Sequence, residues 1–109
     1  DRPMGLFDFL KMPDINEELE KYRATPGAVL LDVRTDKEYA EGRIPGSRNI
    51  ALHELTQIKS AVPNPGTPLF VYCFSGARSR QAVSGLKHMG YTHVTDLGGI
   101  NRYHGRMER

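Results

Sequence analysis

One cysteine stands in the 109-residue chain, Cys73, and Arg78 follows five positions later. Between them lie Phe74, Ser75, Gly76 and Ala77, and Ser79 comes next. A thiolate is a strong nucleophile, and a thiol ionises more readily where backbone N–H groups and a cation converge on it. A glycine in a short loop permits backbone angles that other residues resist, so the loop can aim several N–H groups at one point. Arg78 adds a fixed positive charge and a fork of donors suited to an oxyanion. These types at this spacing point to covalent chemistry at Cys73 with an anionic partner.

The flanking segments supply the positioning. Leu69–Cys73 is a short apolar run and the clearest strand in the sequence. Ala82, Val83, Leu86 and Met89 form one stripe of a helix expected from Arg78 to Met89, and Gly90 is placed to end it. Cys73 then sits at the carboxyl end of a strand and just before a helix N-terminus. Ligands bind at strand carboxyl ends in open α/β sheets, and unpaired N–H groups face outward at helix starts.

The rest of the chain repeats this alternation. Asp14 and Glu17 open a helix carrying Ile15, Leu19 and Tyr22 on one face, and Thr25-Pro26-Gly27 ends it. Ala28–Val33 reads as a buried strand. Thr35 and Glu38 form a capping box for a short helix that stops at Gly42. A short strand over Asn49–Leu52, a short helix over His53–Ser60 and a loop over Pro63–Pro68 follow. His93–Leu97 reads as the last strand, broken by Gly98-Gly99, with a short helix or tail over Ile100–Arg109. The pattern predicts an α/β domain with a mainly parallel central sheet and helices on both faces. Residues 14–109 form that domain in this reading. Residues 1–13 form an N-terminal extension, with Met4-Gly5 as a natural start behind an Asp1-Arg2-Pro3 remnant. Its apolar residues Leu6, Phe7, Phe9 and Leu10 are expected to dock on the domain.

Composition narrows the function classes. Hydrophobic residues make up 39% and charged residues 26%, ordinary values for a folded globular chain. A single cysteine excludes an internal disulfide framework, and no Cys/His set has zinc spacing. The longest apolar run, Leu69–Phe74, falls far short of the about 20 residues that a membrane-spanning helix needs. A formal net charge of +2 is too weak to argue for nucleic acid. Its distribution is uneven: residues 1–54 carry 8 Lys/Arg against 11 Asp/Glu, and residues 55–109 carry 7 against 2. The half that holds Cys73 is therefore basic, which suits a small anionic substrate. A cytoplasmic location is expected.

The loop Cys73-Phe74-Ser75-Gly76-Ala77-Arg78-Ser79 resembles the active loop of rhodanese-like sulfurtransferases, C-x-x-G-x-R-S. Leu31-Asp32-Val33-Arg34 with Glu38-Tyr39, then Gly42-Arg43-Ile44-Pro45-Gly46-Ser47, is similar to the family's D-V-R…E-[YF]…G-H-I-P-G-A segment. Asp96-Leu97-Gly98-Gly99-Ile100 is similar to its closing L-x-G-G motif. The resemblance runs from Ile15 to Tyr103 and departs at Arg43, where the family usually has histidine; that position is expected to be structural.

The resemblance implies a rhodanese-like fold and a sulfurtransferase that needs no cofactor. Cys73 would take a sulfane sulfur from an anionic donor such as thiosulfate and pass it, as a persulfide, to a thiol, a protein acceptor or cyanide. Phe74, Ser75, Gly76, Ala77, Arg78 and Ser79 would bind the substrate, Arg78 orienting the anion. Asp32, Arg34 and Glu38 are expected to support the loop, with an Arg34–Glu38 ion pair as its brace. His53, His88, His93 and His104 are expected to be surface residues. Two rival functions arise. A cysteine phosphatase would need C-x5-R, and the spacing here is one residue short. A persulfide carrier would use Phe74 as a docking contact and, lacking a second cysteine, would deliver its sulfur to an external acceptor.

Overall fold

A computed structural model of the protein describes residues 14–109. The expected N-terminal extension, residues 1–13, lies outside the described residues. Four strands, β1 (Val29–Asp32), β2 (Arg48–Asn49), β3 (Leu69–Cys73) and β4 (Val94–Gly99), form one sheet in the order β2-β1-β3-β4. Every pairing is parallel, as expected from the strand–helix alternation. Helices α1 (Ile15–Arg23), α2 (Asp36–Glu41), α3 (Ile58–Ala61) and α4 (Ala77–His88) connect and cover it, with 3-10 turns at Leu52–Gln57 and Ile100–Arg102.

All residues of β1 and β3 are buried, because both faces of the sheet are covered. Alternation then sorts them into two cores. Val29, Leu31, Leu69, Val71 and Cys73 pack with Ile58 of α3, Ala82 and Leu86 of α4, and Tyr91. Leu30, Phe70 and Tyr72 face the other way, onto Ile15 and Leu19 of α1, with Ile44, Leu97 and Ile100. A strand buried on both faces has no polar alternation, so its sequence reads as a continuous apolar run.

The helix starts follow their side chains. Asp14 caps α1 by accepting from the Asn16 N–H. Thr35 and Glu38 form the expected capping box on α2. The region around 50–60 differs from the sequence reading: β2 is only Arg48–Asn49, and a 3-10 turn runs into α3 where one short helix was expected.

The largest departure lies at β4. Gly98-Gly99 was expected to end the strand, yet pairing continues through both. A bulge shifts the register so that Val71 faces Asp96, Tyr72 faces Gly98 and Cys73 faces Gly99. The absence of a side chain on Gly99 permits the loop after β3 to lie against the strand. A Cβ on Gly99 would collide with the Phe74 carbonyl and the Ser75 backbone. Gly99→Ala is therefore expected to push the loop off the sheet, lowering stability by about 1–3 kcal/mol as overpacking does. Chemical denaturation beside the unchanged chain reads this; an equally stable variant would mean the loop has room to give.

Candidate active site

The loop after β3 holds Cys73 in a defined setting. Gly76, with a φ of 108°, turns the chain into α4, and its N–H points back at the Cys73 Sγ at 3.0 Å. A residue with a Cβ resists that backbone angle. Among the described residues no other amide of the loop hydrogen-bonds the sulfur. The thiol has no exposed surface: it belongs to the core beneath α4, while Phe74 and Ser75 lie exposed at the loop's crest.

The far side of the loop is fastened to β4. The Asn101 N–H donates to the Phe74 carbonyl at 3.1 Å. Ser79 is fully buried; its hydroxyl donates to Asp96 Oδ1 at 2.8 Å and lies 3.0 Å from the Gly76 carbonyl. The same Asp96 oxygen accepts the Gly98 N–H at the bulge. Asp96, Gly99 and Asn101 thus position the loop, a role the sequence reading did not assign. The L-x-G-G motif was the available signal, but its glycines read as a strand breaker.

The expected Arg34–Glu38 pair is replaced by two others. Arg34 closes on Asp32, with Nη2 2.7 Å from Oδ2 and Nε 3.1 Å from both oxygens, and its own N–H also meets Oδ1. The remaining Nη2 hydrogen binds the Gly42 carbonyl at the end of α2. Asp32 is wholly buried and Arg34 nearly so. The pair stands two positions apart at a strand end, with Val33 between them, and the backbone bend there folds the guanidinium onto the nearer carboxylate.

Glu38 instead faces Arg78. Its oxygens accept from Nη1 at 2.7 Å and Nη2 at 3.1 Å, while Oε1 also takes the Thr35 N–H and hydroxyl. The capping box aims this side chain, so one carboxylate ties the start of α2 to the first turn of α4. Arg78 is thus bonded to Glu38. The Arg78 hydrogen bond holds the Glu38 carboxyl down at about 2, aided by the Thr35 donors and against a smaller opposing effect of burial. Because that value is depressed, the brace is complete above the ordinary value of 4.5 and is lost as pH falls toward 2. The stability advantage of the unchanged protein over Glu38→Gln should be level at neutral pH and shrink between those two values. Denaturant titrations across that range test this, and a difference that grows on acidification would contradict it.

Arg43, the departure from the family pattern, lies in a structural setting. Its guanidinium stacks over the Tyr39 ring at 4.7 Å, and its backbone pairs with Glu108 in both directions at 2.8 Å. The four histidines are all exposed. Among the described residues no group of His, Cys, Asp and Glu is arranged to hold a metal ion, and no helix is long and apolar enough to cross a membrane.

A cleft of about 350 Å³ opens beside the loop, where the carboxyl ends of β1, β3 and β4 meet. Arg34, Glu38, Glu41, Gly42, Phe74, Ile100, Asn101 and Met107 line it, and Cys73 does not.

A parallel sheet carrying a cysteine loop at its carboxyl edge, backed by a glycine bulge, matches known proteins along most of its length. The chain belongs to the rhodanese-like domain family, whose model matches residues 15–106. Thiosulfate sulfurtransferase PspE of Escherichia coli (strain K12) is 41% identical over 71 residues, covering 64% of this chain and 68% of that protein. Thiosulfate sulfurtransferase GlpE of Stutzerimonas stutzeri (strain A1501) is 34% identical over 92 residues, covering 84% of this chain and 81% of that one. Among solved structures, a rhodanese with anions from E. coli superposes with a TM-score of 0.70 at 35% identity, covering 75% of this chain and 98% of that one.

Proposed function

We propose that the protein is a sulfurtransferase that carries a sulfane sulfur on Cys73. The observation that supports this best is the Gly76 N–H aimed at Sγ from 3.0 Å, a donor placed to stabilise negative charge on that sulfur. Family membership, with relatives named as thiosulfate sulfurtransferases, points to the same chemistry.

In the first half-reaction the Cys73 thiolate attacks the outer sulfur of thiosulfate. A new S–S bond forms, the old one breaks, and its electron pair leaves with sulfite. In the second, an acceptor thiolate or cyanide attacks the outer sulfur of the Cys73 persulfide. The product is an acceptor persulfide or thiocyanate, and the electron pair returns to Cys73. No proton, metal or redox partner is required at either step. Because Sγ is buried, the exposed Phe74–Ser75 crest must part for donor and acceptor to reach it. Closure afterwards would shield the persulfide from water.

Phe74, Gly76 and Ala77 line the sulfur's approach in this reading. Arg78 would meet the donor's negative charge by sharing its guanidinium with Glu38, which it already contacts through two nitrogens. Phosphate chemistry is disfavoured, since the loop is one residue short of C-x5-R.

Two half-reactions through one covalent intermediate give ping-pong kinetics. Initial rates with thiosulfate and cyanide varied together should yield parallel double-reciprocal lines. Lines that converge would require both substrates bound at once and would reject a free persulfide form.

A further inference from the structure

The cleft beside the loop has a character that the small-anion chemistry does not use. Phe74 and Met107 are the exposed large apolar residues among those described, at 50% and 46%, and both line this one cleft. Ile100 continues the apolar wall from the first residue after β4. The charges around it are mostly settled internally: Arg34 is closed on Asp32, and Glu38 on Arg78. Glu41, exposed at the last position of α2, makes no ion pair among the described residues. It stands where the helix already presents its negative end, beside the Gly42 carbonyl that Arg34 engages. A thiosulfate-sized dianion has no use for an apolar wall and is repelled by that carboxylate.

We propose that this cleft docks the sulfur acceptor, and that the acceptor is a protein or peptide thiol flanked by an apolar side chain and a Lys or Arg. The apolar side chain packs between Phe74 and Met107, and the cation meets Glu41. Phe74 directly follows Cys73, so a segment seated there brings a neighbouring thiol to the loop crest. Donor and acceptor would then be recognised by different features: the donor by the Gly76 N–H and the Arg78 charge, the acceptor by the apolar wall of the cleft and the Glu41 carboxylate. The proposal rests on the persulfide reading of Cys73 and names the partner of its second half-reaction.

The test separates the two. The full chain is treated with thiosulfate, desalted and weighed intact, then mixed with one of two cysteine peptides of equal length. One carries Leu and Lys beside the cysteine; the other carries Gly and Asp. Discharge to the Leu/Lys peptide is expected to be about tenfold faster, the ratio that 1.4 kcal/mol of differential binding gives. Met107→Ala should slow that discharge, and Glu41→Lys should shift the preference toward the acidic peptide. Discharge to cyanide, which needs no docking, should be unchanged in both variants; Met107 and Glu41 are exposed, so both should fold. Failure to load sulfur at all would sink the underlying reading. A loaded protein that shows no peptide preference, or a preference indifferent to both substitutions, would sink the docking proposal alone. So would discharge that slows as the protein is concentrated, because a second copy would then be the occupant.

Discussion

Cys73→Ser is expected to bring transfer of sulfur from thiosulfate to cyanide down to the uncatalysed background while the fold survives. The serine hydroxyl is slightly smaller and still accepts the Gly76 N–H that now reaches Sγ at 3.0 Å. Its neighbours in the core beneath α4 keep their contacts. What disappears is the nucleophile. A hydroxyl is not ionised at neutral pH, and no histidine or carboxylate hydrogen-bonds this position among the described residues to take its proton. Removing a covalent nucleophile costs on the order of 10⁶-fold in turnover where it has been isolated. Steady-state rates together with thermal unfolding check both halves of the expectation. Retained turnover in a folded serine variant would place the chemistry elsewhere.

Arg34→Met should have the largest effect on stability. It leaves the Asp32 carboxylate fully buried, with the Arg34 N–H still on Oδ1 but nothing on Oδ2. It also frees the Gly42 carbonyl that the guanidinium binds at the end of α2. Breaking one half of a buried ion pair typically costs about 3–5 kcal/mol, a large part of the roughly 5–15 kcal/mol that holds a domain together. Replacing Asp32 by leucine as well removes the stranded charge and should return part of the loss. Denaturant midpoints for the single and double variants decide it. A single variant weakened by less than about 1 kcal/mol would mean that the pair behaves as a surface one.

The two predictions draw on parts of the molecule that were unequally legible. The strand–loop–helix around Cys73 could be read directly, because an apolar run, a glycine and an amphipathic stripe follow one another locally. The capping box of α2 is equally local, a Thr and a Glu three residues apart. What its glutamate does next is not local. The sequence paired it with Arg34, whereas its partner is Arg78; that choice depends on where α2 crosses relative to α4, which neighbouring residues do not encode. Local propensity also misread Gly98 and Gly99, since glycine weakens an isolated strand. Here the tertiary approach of the Phe74 carbonyl demands a residue without a Cβ. Met107 was hidden for the same reason. It lies in a tail of no clear pattern, and only the pairing of Arg43 with Glu108 brings it to the cleft.

The proposed sulfur transfer requires that Cys73 receive one further sulfur atom on its Sγ. Intact mass spectrometry after incubation with thiosulfate, followed by peptide mapping, measures this without an acceptor. The mass should rise by one sulfur atom, the added sulfur should map to the peptide containing Cys73, and cyanide should remove it. An unchanged mass with thiosulfate and with other sulfane donors, in protein shown to be folded, would contradict the persulfide and with it the proposed function.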